Sequence, residues 1–311
     1  MCSSDLLTKA REMTGQKHRQ RNKERDMSQK QEMNDAFENT MRRLRIAQKL
    51  AWIPGVAWLL HAHYERRFRS NTSRNLFRGV YDSYEAAQRS APTDRALGYD
   101  NQESAAMYFN HMGPDSFDYP AIYWLEKSFQ QGLQTVFDVG GHIGIKYYAF
   151  KPLLSAPQGM RWLVCDVPAV VQRGKAAAAK RDPTGHLSFT SDYGQVEAQD
   201  ILFASGVLQY LPMTLLEWLS PVQTKPRRII FNTTAIHPSL DYFTLNSIGT
   251  AYCPYRVTSE PNFLAQMGAL GYALVDRWQT PGKGALELPL EVGHDVWEYS
   301  GFVFDLEQSS K

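Results

Sequence analysis

From residue 135 to the end of the chain, short apolar runs alternate with stretches of helical periodicity, and this alternation limits the possible folds more than any other feature. "TVFDV" (135–139), "MRWLVCDV" (160–167), "LSFTSD" (187–192), "DILFASGVLQYL" (200–211) and "RRIIFNTTAI" (227–236) read as strands. Helices are expected over 143–154, 168–180, 213–222 and 261–271. Strands joined through helices build a parallel sheet covered on both faces. "YALVDRWQ" (272–279) and "EYSGFVFDL" (298–306), joined by a long irregular connection, read as a final antiparallel pair. The expected class is α/β: a three-layer α/β/α sandwich around a seven-stranded, mostly parallel sheet, with an antiparallel C-terminal edge strand and a helical N-terminal region.

The junction "TVFDVGGHIGIKYYAF" (135–150) carries the chemistry. An apolar strand runs into Asp138, and Gly140, Gly141 and Gly144 follow before the helix. Glycines there let a ligand approach the backbone and the helix N-terminus, and such turns lie at the C-terminal edge of a parallel sheet, where ligands bind. The pattern is neither GxxxxGK[ST] nor GxGxxG, so it is not a phosphate loop, and it fits a dinucleotide turn poorly. Two further acids end the next two strands. Asp166, in "WLVCDVP", is placed to accept hydrogen bonds from ribose hydroxyls, and Asp192, in "FTSDYG", from an adenine amino group. Each acid alone would pass for a solvated loop residue or a helix cap. The series of three makes a ligand edge.

The motifs "DVGGHIG", "CDVPAVV" and "ILFASGVLQYLP" resemble the sequential motifs of class I S-adenosylmethionine-dependent methyltransferases, and "DVGG" with "DVPAVV" is similar to small-molecule O-methyltransferases. "FRGVYDSYEAA", "GYD", "NSIGTAYCPYRV", "GYALVDRW" and "YSGFVF", in that order, resemble an uncharacterised bacterial family of methyltransferase-like proteins, over about residues 76–306. The resemblance implies a Rossmann-like methyltransferase fold and S-adenosylmethionine as cofactor. By position it implies that Asp138 anchors the methionine end, and that Gly140, Gly141 and Gly144 give the cofactor room. It also implies that Asp166 and Val167 hold the ribose, that Asp192 and Tyr193 flank the adenine, and that Ser205 and Gly206 face the sulfonium. His142 stands where the broader pattern often has glycine and counts with the cofactor residues. The implied acceptor is a small-molecule or glycan hydroxyl, the glycan resting on the bacterial family alone.

A hydroxyl acceptor calls for a base, most often histidine. Plant-type O-methyltransferases carry one just after the fourth strand, where this chain has Gln209. His237, following "RRIIFNTTAI", is the first candidate base and His142 the second. A loop histidine without a catalytic part is the competing reading of His237. Tyr148, Gln209, Tyr252, Tyr255 and Arg256 are candidate acceptor contacts; "AYCPYRV" (251–257) reads as a non-helical stretch crossing the mouth of the site, and Arg256 as a carboxylate or phosphate binder or a salt-bridged loop tie. Cys2, Cys165 and Cys253 are far apart and in no metal spacing, and no third ligand accompanies His61 and His63, so no metal is expected.

The net charge of +2 gives no argument for nucleic acid. Residues 1–50 hold 12 Lys/Arg against 7 Asp/Glu. Residues 1–40 are polar and are expected to be disordered or a frayed helix. Met41 opens "MRRLRIAQKLAW", which would make those 40 residues an upstream extension. Residues 41–132 are expected to be a helical cap and 133–311 the methyltransferase domain. Within the cap, 41–69 pairs an apolar stretch holding Trp52 and Trp58 with arginines at both ends. It reads either as a helix pair packed on the catalytic domain or as an interfacial helix, broken at Pro54, on an anionic membrane. No secretory signal or membrane-spanning run is visible, so a cytoplasmic protein, or one peripheral to the inner membrane face, is expected. Two rivals remain: a nicotinamide-dependent oxidoreductase on a related sheet, and a non-catalytic scaffold docking through 41–69 on a membrane or partner.

Overall fold

The computed structural model describes residues 55–72, 75–100 and 113–307. The expectations for residues 1–54, and those for 101–112 within the expected helical cap, lie outside the described residues. The chain divides into two units, residues 1–65 and 66–311. Helix α1 (Val56–Arg69) runs across that division, and the second unit holds everything that follows.

β1 (Leu76–Tyr81) leads to α2 (Tyr84–Arg89), which Ser83 caps by accepting from Ala86 N at 3.1 Å. β2 (Ala96–Leu97) and α3 (Tyr119–Gln130) follow. The alternation then begins with β3 (Thr135–Val139), α4 (Ile145–Phe150), β4 (Arg161–Cys165), α5 (Pro168–Arg181), β5 (Leu187–Thr190) and β6 (Ile201–Ser205). It continues with α6 (Leu215–Leu219), β7 (Arg228–Thr234), β8 (Ile236–His237), β9 (Tyr242–Ser247), β10 (Ala251–Ser259), α7 (Glu260–Ala269), β11 (Tyr272–Gln279) and β12 (Ser300–Leu306).

The main sheet has seven strands in the order β11-β12-β7-β6-β3-β4-β5. β3, β4, β5, β6 and β7 are mutually parallel, and β12 pairs antiparallel with both β7 and β11. This is the expected α/β sandwich, with one adjustment. The strand that runs against the others is inserted one place in from the edge, and β11 is outermost. Successive side chains of a strand point to opposite faces, so the near-continuous apolar runs give two cores. Phe137, Leu202, Ile229 and Phe231 pack with α6 and α7 on one face. Val136, Trp162, Val164 and Phe203 pack with α3, α4 and α5 on the other.

A second, smaller sheet was not anticipated. It runs β1-β9-β10-β2, with β8 also on β10. The stretch 76–132, read as mostly helical, therefore contributes strands, and "AYCPYRV" is the centre of β10 rather than a loop over the site. Pro254 is tolerated there because it falls between the short pairings of β2 at 251–252 and β8 at 258–259, where one side of the strand is open. Among the described residues no helix is long and apolar enough to cross a membrane.

Candidate functional site

The carboxyl ends of β3, β4, β6 and β7 lie side by side, and at three of them the backbone takes positive φ. His142 has φ 55°, Gly206 φ 73° and Thr233 φ 53°. Positive φ is uncommon for histidine and an outlier for a β-branched threonine, so surrounding contacts must hold it. At His142 the hold is visible. Its backbone N–H donates to Asp166 Oδ2 at 2.9 Å, while Asp166 Oδ1 accepts from Val167 N at 2.8 Å. One carboxylate at the end of β4 thus ties the turn after β3 to the start of α5. At Thr233 the cause is a bulge: Phe231 pairs with Phe302 and Thr234 with Ser300, so β7 carries one residue more than β12. Gly206 N donates to Asn232 O at 2.9 Å beside it.

The glycines make the turn rather than leave a gap. Gly140 and Gly144 need positive φ. A Cβ on Gly140 would overlap the Val207 side chain, one on Gly141 the Asp138 carboxylate, and one on Gly144 would come within 2.7 Å of Leu187. Close packing inside the protein is by itself enough to require glycine at all three positions. Asp138 is buried and accepts from Trp162 Nε1 at 2.9 Å. Burial pushes its carboxyl up to about 7, against the pull of the Trp162 N–H. Burial likewise lifts half-buried Asp166 to about 6, its two backbone N–H partners opposing. Asp192 is exposed and accepts from Gly194 N at 2.8 Å; Tyr193 beside it is half-buried and meets Trp218 edge-on at 5.5 Å. Ser205, half-buried, ends β6 opposite Asn232. Val167 caps α5 in extended conformation.

Of the acceptor and base candidates, the structure brings some to this edge and not others. His237 is buried, its Nδ1 accepting from Ser239 N at 3.1 Å and Leu240 N at 2.9 Å. Its Nε2 lies 3.0 Å from Gly293 O and so must donate to that carbonyl. Both nitrogens tie loops together, leaving none for a substrate proton, and the base reading is withdrawn. Tyr252 stacks on Phe68 at 5.4 Å, and Tyr255 donates to Tyr299 Oη at 2.9 Å; both are buried core of the small sheet, not acceptor contacts. Arg256 donates to Met213 O at 2.8 Å and Pro212 O at 3.2 Å, holding the loop after β6. Tyr148, on α4, has a buried hydroxyl with no hydrogen-bond partner. Gln209 is buried on the turn after β6 and, with Arg256, lines a small cleft. That cleft lies beside β6 and β7, not over the glycine turn.

A polar hub escaped the sequence reading. Asp118, fully buried, accepts from Lys146 Nζ at 2.7 and 2.9 Å, Asn232 Nδ2 at 3.0 Å and Asp115 N at 2.9 Å. Asn232 Oδ1 in turn accepts from Trp278 Nε1 at 3.2 Å. The hub joins the start of α3, α4, the β7 bulge and β11, and so stiffens the edge at Ser205 and Gly206. Its members span residues 115 to 278, and no local motif links them. Cys165 and Cys253 are buried and free, their thiols pushed up to about 12 by burial, which leaves them unreactive. Among the described residues no His, Cys, Asp and Glu cluster could hold a metal ion.

No family model matches the chain, and no curated protein does. Solved structures do. A Burkholderia thailandensis 1,6-didemethyltoxoflavin-N1-methyltransferase, with 1,6-didemethyltoxoflavin and S-adenosylhomocysteine bound, is 16% identical over 66% of this chain and 83% of that one, with a TM-score of 0.44. The magnesium protoporphyrin IX methyltransferase of Synechocystis PCC 6803, with S-adenosylmethionine bound, is 15% identical over 61% and 77%, with a TM-score of 0.40. The mitomycin 7-O-methyltransferase MmcR is 16% identical over 57% and 50%, with a TM-score of 0.37.

The donor set at the edge suits a nucleoside. Ribose hydroxyls need acceptors, and each Asp166 oxygen accepts one backbone N–H and has lone-pair capacity left. Tyr193 offers a half-buried ring and Asp192 an exposed carboxylate on the neighbouring strand end.

Proposed function

We propose that this chain is an S-adenosylmethionine-dependent methyltransferase acting on a small-molecule or glycan acceptor, at a hydroxyl. The observation that carries the reading is the Asp166 carboxylate, which fastens the left-handed turn at His142 to the N-terminus of α5 while keeping acceptor capacity. Asp166 would hold the ribose, Tyr193 and Asp192 would border the adenine, and Asp138 would supply negative charge behind the turn for an ammonium. The cofactor, when bound, supplies a methyl group on a positively charged sulfur. The chain's own task is then to hold the acceptor in line with that group and to keep water out. Ser205 and Gly206, stiffened by the hub at Asp118, form the floor where the acceptor would approach. With His237 engaged elsewhere, the imidazole offered by this edge is that of His142.

Titration of the purified full chain with S-adenosylhomocysteine, and separately with NAD, tests the reading. Binding of the first and not the second is expected. Binding of NAD alone would move the chain to the oxidoreductases. Binding of neither by folded protein would favour the scaffold.

A further inference from the structure

We propose that the exposed face of α1 docks on an anionic lipid surface, where Trp58 and Leu59 enter the headgroup layer and the neighbouring arginines meet lipid phosphates. This goes beyond the methyltransferase reading and does not depend on it.

The helix sorts its residues onto two sides. At 3.6 residues per turn, Trp58, Arg66 and Arg69 share one side, and Leu59 and His63 run beside them. All five are exposed, Trp58 by 71% and Leu59 by 59%. Tyr64 and Phe68, one turn apart on the opposite side, are buried, and Phe68 stacks on Tyr252. The packed-helix and interfacial readings of this stretch thus each find a face. A helix needs one apolar stripe to pack, and α1 has that in Tyr64 and Phe68. Exposed apolar residues scattered singly are ordinary, but Trp58 and Leu59 are adjacent, serve no packing, and stand on the face that carries the arginines.

Charge names the partner. Residues 41–69 carry seven Lys/Arg and one Asp/Glu, a net +6 in a chain whose total is +2. A second copy of the chain would bring the same positive charge against it, which disfavours self-association. Nucleic acid would match the charge and could stack on Trp58, but it offers nothing to Leu59. An anionic bilayer offers both parts at once, phosphates at its surface and hydrocarbon beneath, and tryptophan favours that boundary. The face is apolar toward the N-terminus of α1 and basic toward its C-terminus, where Arg66, Arg67 and Arg69 fall in the last turn. The helix should therefore enter by its N-terminal end while the arginines reach back to the phosphates.

Sedimentation of the full chain with vesicles tests this, using phosphatidylcholine alone and phosphatidylcholine mixed with phosphatidylglycerol, each at low and high salt. Binding to the mixed vesicles is expected, with release by salt and none to the neutral ones. Arg66→Ser should weaken it about fivefold, the worth of one basic residue near an anionic surface. Trp58→Ser combined with Leu59→Ser should weaken it about tenfold or more. Brominated acyl chains should quench tryptophan emission in the unaltered chain more than in Trp58→Phe, which keeps the apolar bulk and serves if the double variant does not fold. No binding to the mixed vesicles, equal binding to neutral ones, or full binding by the folded double variant would overturn the proposal. So would a native mass that halves in the double variant, which would give the face to a second copy. An oligonucleotide that binds through Trp58 while vesicles do not would overturn it as well, and would give the face to nucleic acid.

Discussion

Replacing Asp138 by asparagine removes the buried acid behind the glycine turn while keeping its shape and an oxygen for Trp162 Nε1. In the native protein burial raises this carboxyl from its ordinary 3.8 to about 7, with Asp166's charge adding to the effect. Between those values the folded chain holds a proton that the unfolded chain has released, so raising the pH through that window weakens the fold. Each tenfold in proton affinity is worth about 1.4 kcal/mol, and the span from 3.8 to about 7 amounts to about 4 kcal/mol. Urea unfolding of both proteins at about pH 4 and about pH 8 reads this directly. The two should be nearly equal in acid, and Asp138→Asn should be more stable by about 2–4 kcal/mol in base, at the cost of the negative charge a bound ammonium would need. If the difference between the two proteins does not change with pH, or if the variant is the weaker one in base, the claim of a costly buried carboxylate is wrong.

Other substitutions separate structural from functional roles. Asp182 accepts from Tyr147 Oη, Thr184 Oγ1, Leu187 N and Lys151 Nζ, which hold its carboxyl well below the ordinary range. Its stabilisation is therefore present at neutral pH and lost in acid, and Asp182→Ala should cost about 2–4 kcal/mol in urea unfolding near neutrality. His237→Phe should lower the melting temperature, since both ring nitrogens tie loops, yet leave S-adenosylhomocysteine affinity within about twofold in calorimetry. Gly301 faces Trp278, whose indole occupies the place of a Cβ, so Gly301→Ala should cost about 1–3 kcal/mol in the same unfolding assay.

The main sheet was legible because its strands are short apolar runs separated by helices, and each βαβ unit is a local pattern. The acids at three strand ends were legible for the same reason: position along a strand fixes which edge a residue reaches. What failed to show was non-local. β10 is buried at nearly every position, so it has no alternation to read, and the small sheet closes only because its neighbour β9 pairs with β1, which lies before β3 to β8 in the chain. Tyr252 and Tyr255 consequently looked like loop aromatics and are core. β12 follows β11 in the chain but enters the sheet between β11 and β7, a placement that pairing decides and composition does not. His237 looked like a base because it follows a strand; only its three backbone partners reveal a tie. The hub at Asp118 assembles four distant segments, and nothing in any one of them marks it. The glycines were rightly seen as a turn, while the packing of Val207 and Leu187 against them comes from segments distant in sequence.

The central claim is that Asp166 holds a nucleoside at the end of β4. Calorimetric titration of S-adenosylhomocysteine into the full chain, beside Asp166→Ala and at a pH above and below about 6, tests it most directly. The account predicts binding by the unaltered chain that weakens as the carboxyl is protonated and that Asp166→Ala abolishes. Equal binding by a folded Asp166→Ala protein, or none by the unaltered chain at either pH, would contradict it.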